Sequence, residues 1–128
     1  MVYSRRNADS SERFGGRVLV DFAMRYGEPA IEAALERLAG SGLERLVVFP
    51  LYPQYAEATT GSTVEKIRRE AAVIWERPEI RTVPAFYDHS GFIRAFAEVG
   101  RPVLEEFRPD HVLFSYHGLP ESQILKAD

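Results

Sequence analysis

With 128 residues and 45% hydrophobic side chains, the chain can bury one core and is too apolar for a disordered segment, which bounds it at a single domain. Lys and Arg number 16 against 19 Asp and Glu, so the net charge of −3 offers no broad positive field for phosphates, and no nucleic-acid partner is expected. The lack of cysteine excludes disulfides, thiolate-bound zinc and an iron–sulfur cluster in this stretch, and suits a reducing, cytoplasmic setting.

Residues 1–16, MVYSRRNADSSERFGG, are polar. They show neither the apolar run of a signal peptide nor the roughly 20 apolar residues of a membrane span. The expectation is a polar N-terminal segment over 1–16, an α/β domain over 17–128, and a soluble chain with peripheral membrane contact left open. The first apolar run, Val18-Leu19-Val20 through Ala23, reads as a strand. Ile31, Ala34, Leu35 and Leu38 then share a helical face, with Pro29 suited to the first turn and Gly40 and Gly42 to the end. Leu46-Val47-Val48-Phe49 is the second strand. A second helix follows through Val64, Ile67, Ala71 and Ile74, and Ser62 with Glu65 has the spacing of a capping box.

Ile80 to Phe86 is the third strand. Phe92, Phe96, Val99 and Val103 form the apolar stripe of a third helix, which Asp88 could cap and Pro109 must stop. Trp75, Phe92 and Phe96 are at helical spacing and are assigned to the core rather than to a ligand. Val112-Leu113-Phe114 is the fourth strand. The runs are continuous rather than alternating, as strands covered on both faces are. Four strands and three crossover helices predict a Rossmann-like or flavodoxin-like parallel sheet with helices on both faces, every strand presenting its carboxyl end along one edge.

The residues expected beyond those ends are Met24-Arg25-Tyr26-Gly27-Glu28-Pro29, Pro50-Leu51-Tyr52-Pro53-Gln54-Tyr55, Tyr87-Asp88-His89 and Ser115-Tyr116-His117-Gly118-Leu119-Pro120. An arginine, several tyrosines and a histidine on one rim suit a large, flat, anionic ligand, with aromatic walls for its face and donors for its charge. Polar loops at the strand ends of any α/β domain are the competing reading. For Arg25 the competing assignment is an ion pair with Glu28 or Glu57. Thr59, Thr60, Gly61 and Ser62 fall at a helix N-terminus, where N–H groups and the dipole favour an anion. Simple capping is preferred for Ser62. His89 neighbours helix-start chemistry at Asp88 and Ser90.

Three of these segments, MRYGEP at 24–29, FPLYPQYAEATTGS at 49–62 and FSYHGLPE at 114–121, resemble the successive signatures of ferrochelatases in order and spacing. The resemblance runs from about Arg17 to residue 128, roughly a third to two-fifths of a typical chain of that two-domain family. It implies an incomplete chelatase-type α/β fold without the second domain. It also implies a lyase of haem biosynthesis that inserts ferrous iron into protoporphyrin IX, with iron and porphyrin as substrates and no further cofactor. His117 matches the histidine assigned in the family to accept pyrrole protons, to bind the incoming metal, or both. Imidazole chemistry suits either task, since the group takes up a proton near neutral pH and ligates iron when neutral.

By the same resemblance Arg25 and Tyr26 contact the macrocycle or a metal on its way in. Tyr52, Pro53, Gln54 and Tyr55 form the loop under the porphyrin, stiffened by proline, and Thr60 and Ser115 complete the substrate contacts. The acidic residue and aromatics that the family's second domain sets opposite the histidine have no counterpart here, and His117 alone does not make a firm metal site. The alternative is a non-catalytic half-domain that binds tetrapyrrole or self-associates through the face left uncovered. A chelatase for cobalt or another tetrapyrrole ranks last.

Overall fold

The structure is a computed structural model that describes residues 18–43, 45–76, 79–122 and 125. The polar segment expected over 1–16, and Arg17 where the domain is expected to begin, lie outside the described residues.

Helix α1 (Ile31–Ala39) forms on the expected periodicity and buries Ile31, Ala34 and Leu35, with Glu32 in its first turn and Arg37 in its last to complement the dipole. Pro29 is not in the first turn. It precedes the N-cap residue Ala30, and its carbonyl accepts from Met24 N–H at 2.8 Å. At the far end Gly40 N–H donates to Glu36 O at 3.1 Å, and Gly42 turns the chain at φ +68°, a conformation that glycine adopts without steric cost.

Strands β1 (Arg45–Val48) and β2 (Glu79–Thr82) pair in parallel, with Arg45 opposite Glu79 and Val48 opposite Thr82. The crossover between them contains helix α2 (Ser62–Ile74), as a parallel pair requires. Glu79 accepts from Arg45 Nε at 2.8 Å and from Arg81 Nε at 2.6 Å. The core lies among these elements. Ile31 and Leu35 of α1 meet Ala71 of α2, and Leu46, Ile67, Ile74 and Ile80 pack against them. Lys66 Nζ and Glu32 Oε1, 2.8 Å apart, join the two helices at the surface.

The family of folds is as expected, an incomplete α/β arrangement with a parallel sheet, but the strand count is not. Two of the four apolar runs form the ladder. Residues 18–23 form no ladder, and an isolated parallel bridge joins the next residue, Met24, to Ala30. Val112, Leu113 and Phe114 have no ladder and are exposed, Leu113 at 92%. A strand exists only where its N–H and C=O groups meet a partner's, and β propensity alone does not supply one.

Helix α3 (Ser90–Phe107) is capped by His89 rather than Asp88: the His89 Nδ1 accepts from Gly91 N–H at 3.1 Å. It continues through Pro102 and ends at Arg108 in the left-handed region, φ 45°, ψ 57°, with Pro109 next as expected. Its stripe begins in an aromatic stack, Phe86 on Phe92 and Phe92 on Phe96, edge to face with centroids 5.5 and 4.9 Å apart. The core assignment fails at Phe96, which is 67% exposed despite that stack, and Val99 and Val103 further along the stripe are 77% and 63% exposed. They lack the covering layer that an apolar helix stripe needs.

The chain divides into two compact units, one running to Phe49 and taking in Thr63–Thr82, the other comprising Pro50–Ser62 and the chain from Val83 onward. Among the described residues no helix is long and apolar enough to cross a membrane.

Candidate functional site

In the first unit the turn after residues 18–23 presents Arg25 and Tyr26. Gly27 at φ +82° permits the reversal, and Glu28 Oε2 accepts from Ala30 N–H at 3.0 Å. Glu28 is therefore engaged with the backbone rather than with Arg25. The Arg25 guanidinium lies 4.6 Å from the centroid of the Tyr26 ring, a cation–π contact, and its buried Nε has no hydrogen-bond partner. Tyr26 is 76% exposed. The pair thus combines an accessible ring with an uncommitted cationic donor.

The second unit holds the loop Tyr52–Tyr55, which follows β1. Pro53 O accepts from Phe86 N–H at 2.9 Å, so the segments that leave β1 and β2 are tied to one another. Tyr52, Gln54 and Tyr55 are exposed, while Pro53 is half-buried. The Tyr55 hydroxyl donates to Glu57 Oε2 at 2.7 Å. That hydrogen bond to a carboxylate, with a smaller contribution from desolvation, holds the phenol above its ordinary pKa.

A π-helical turn over Glu57–Gly61 carries the chain into α2. The N–H groups of Thr59 and Gly61 donate to Ala56 O at 3.1 and 3.2 Å, and that of Ser62 reaches back to Glu57 O and Thr59 O. This wide turn corrects two expectations. Ser62 does not open the helix as a capping box, since its hydroxyl donates to Ala58 O at 2.9 Å and Thr59 O at 3.3 Å. The amides of Thr59, Gly61 and Ser62 are spent within the turn and do not form an open anion cradle. The Thr60 side chain stands apart. It is buried, 9% exposed, and its Oγ1 has no partner, a state that costs free energy unless something else satisfies it.

Ser115 and His117 lie in the exposed stretch 111–120, which has no helix or strand. The expectation that His117 follows a buried strand is corrected with the strand itself, but its imidazole is accessible. His89, expected near helix-start chemistry, serves as the cap of α3. Among the described residues no group of three or more His, Asp or Glu side chains is placed to hold a metal ion. Glu57, which the motifs do not single out, is the residue that contacts the site candidate Tyr55. Its spacing from Tyr55 and Gly61 was the available signal, but the π turn that brings the carboxylate to both is a tertiary detail.

The ferrochelatase family model matches residues 3–128. Similar curated proteins are the ferrochelatase of Nitrosococcus oceani, 43% identical over 89% of this chain and 31% of its own, and that of Rhizobium meliloti, 42% identical over 99% and 39%. The ferrochelatase of Pseudomonas entomophila is 44% identical over 85% of this chain and 32% of its own. The chain thus spans between about a third and two-fifths of the length of the curated relatives it matches.

Proposed function

The chain belongs to the ferrochelatase family, and from that premise we propose that it carries the porphyrin-recognising and proton-accepting half of a ferrous-iron chelatase, working in the cytoplasm. In the reaction, Fe²⁺ enters protoporphyrin IX as the two pyrrole N–H protons leave, giving protohaem and two protons. His117 accepts pyrrole protons, ligates the incoming iron, or does both in turn. Arg25 and Tyr26, the loop Tyr52-Pro53-Gln54-Tyr55, Thr60 and Ser115 supply macrocycle contacts.

The observation that carries this reading is the family match, which runs unbroken through all three motif segments. The chemistry of the side chains supports it. Tyr26, Tyr52 and Tyr55 present accessible ring faces to a planar ligand. Arg25 Nε and Thr60 Oγ1 are buried polar groups lacking partners, as groups reserved for a ligand would be. The test is a fluorescence titration of protoporphyrin into the purified chain, followed by ferrous or zinc ion, beside His117→Ala. Saturable binding in both proteins, with metal insertion lost in the variant, is the expected result. Equal insertion by the two would remove His117 from the reaction, and no binding by either would remove the reading.

A second reading, a non-catalytic half that self-associates, is favoured by the exposed apolar residues Phe96, Val99, Val103 and Phe107 of α3. It requires dimers or larger species in sedimentation at high concentration. A strictly monomeric profile eliminates it.

A further inference from the structure

Within the π turn, glycine stands at position 61 without a backbone reason. Positive φ among the described glycines is confined to Gly27 and Gly42, and a glycine in a helical turn costs up to about 1 kcal/mol relative to alanine. The side chains give the reason instead. A β-carbon at Gly61 would stand 2.8 Å from Glu57 Oε2, 2.9 Å from its Cδ and 3.0 Å from its Oε1. The Glu57 carboxylate is thus folded over residue 61, in space that any larger residue would take. Its Oε2 is the atom that accepts the Tyr55 hydroxyl.

We propose that Gly61, Glu57 and Tyr55 form a latch in which Glu57 is a positioning residue: it fixes the Tyr55 ring as one wall of the macrocycle site. The inference rests on the function proposed above and adds a residue and a specificity consequence to it. A phenol whose only proton is committed to a carboxylate does not donate to the ligand. Tyr55 therefore meets the ligand with its ring, through dispersion and stacking, and the site at this point selects for a flat apolar surface rather than for an acceptor group. Fixing the ring beforehand also lowers the ordering cost that binding would otherwise carry.

The latch can be opened from either end. Glu57→Ala removes the acceptor. Gly61→Ala retains it but pushes the carboxylate aside, which is cheap because the displaced atoms are the tip of a flexible side chain, and an alanine suits the helical turn. Glu57→Gln keeps an acceptor in place without the charge. Protoporphyrin affinity is measured for each in the full chain, alongside thermal midpoints and the tyrosinate absorbance of each protein with its Tyr55→Phe counterpart subtracted. Both opening variants are expected to bind protoporphyrin about tenfold more weakly, with Glu57→Gln restoring most of the loss. Gly61→Ala is expected to melt no lower than the unaltered chain. Tyr55 titrates at lower pH in both opening variants, which a merely structural role for Glu57 elsewhere would not produce.

Unchanged affinity in Glu57→Ala and Gly61→Ala, with binding intact in the unaltered chain, overturns the latch and leaves the proposed function standing. An unmoved Tyr55 titration in both overturns it as well. Failure of the unaltered chain to bind protoporphyrin overturns the functional reading and the positioning role together. If Gly61→Ala does not fold, Glu57→Ala against Glu57→Gln decides alone.

Discussion

Replacing Leu35 with alanine tests whether the small cluster between α1, α2 and the strand pair is the folding core of the first unit. Leu35 is 4% exposed and lies in the cluster with Ile31 and Ala71, against which Leu46, Ile67, Ile74 and Ile80 pack. The substitution deletes three carbons. At about 0.8 kcal/mol per buried methylene, the transfer contribution is about 2.4 kcal/mol. Incomplete collapse of two helices around the vacated space adds to that, so the expected loss is about 3 kcal/mol, within the roughly 2–5 kcal/mol found for such truncations. Urea denaturation followed by Trp75 fluorescence reads the effect, since this single tryptophan adjoins the end of α2, where its backbone N–H donates to O of the core residue Ala71 at 2.9 Å. With a slope of about 1.5 kcal/mol per molar for a small unit, the midpoint falls by about 2 M. Val73→Ala, at a position 82% exposed on α2, is the control, with an expected change within about 0.5 kcal/mol. Equal shifts for Leu35→Ala and Val73→Ala would refute the assignment of the core.

Three further outcomes follow from the caps and ion pairs. Arg108→Gly, at the left-handed end of α3, should stabilise that helix by about 1 kcal/mol because glycine adopts φ 45° without the Cβ conflict; a lower thermal midpoint would contradict the geometry. His89→Ala should cost α3 about 1 kcal/mol and lower its helicity by circular dichroism, whereas His89→Asn should preserve it; equal spectra for the two would show that the cap is idle. Hydrogen bonds from Lys66 to Glu32, and from Arg45 and Arg81 to Glu79, hold both carboxyls below their ordinary 4.5. Groups lowered by folding contribute stability above the ordinary value and lose it as pH falls through the lowered folded values, so the thermal midpoint should decline below about pH 4.5. Because the Glu79 pairs are exposed and the Lys66–Glu32 pair is half-buried, added salt should shrink that dependence, most for Glu79, and a midpoint flat to about pH 2 would rule the pairs out as contributors.

How much of this was legible beforehand differs by element. Helices α1, α2 and α3 were readable because an apolar repeat near 3.6 is a local property of the chain, and α1 and α2 bury the residues that the repeat picks out, Ile31, Leu35 and Ala71. The parallel pair was readable for the same reason, as two β-branched runs separated by a helix have few other ways to satisfy their backbones. The caps were not. Asp88 and His89 are neighbours with acceptors of similar reach, and Ser62 has the capping-box spacing, yet the choice turns on a backbone geometry that includes a π turn.

The sequence by itself determined the family, through three motif segments whose order and spacing survive in any linear reading, and with it the catalytic and metal candidate His117 and the substrate-contact candidates Arg25, Tyr26, Tyr52 to Tyr55, Thr60 and Ser115. The tertiary structure decided which apolar runs become strands, which face of α3 stays uncovered, and that Glu57 holds Tyr55. Burial, ladder partners and a carboxylate's choice of donor depend on groups distant in sequence or on turn geometry. A one-dimensional pattern specifies what a residue can do, and only its neighbours in space fix what it does.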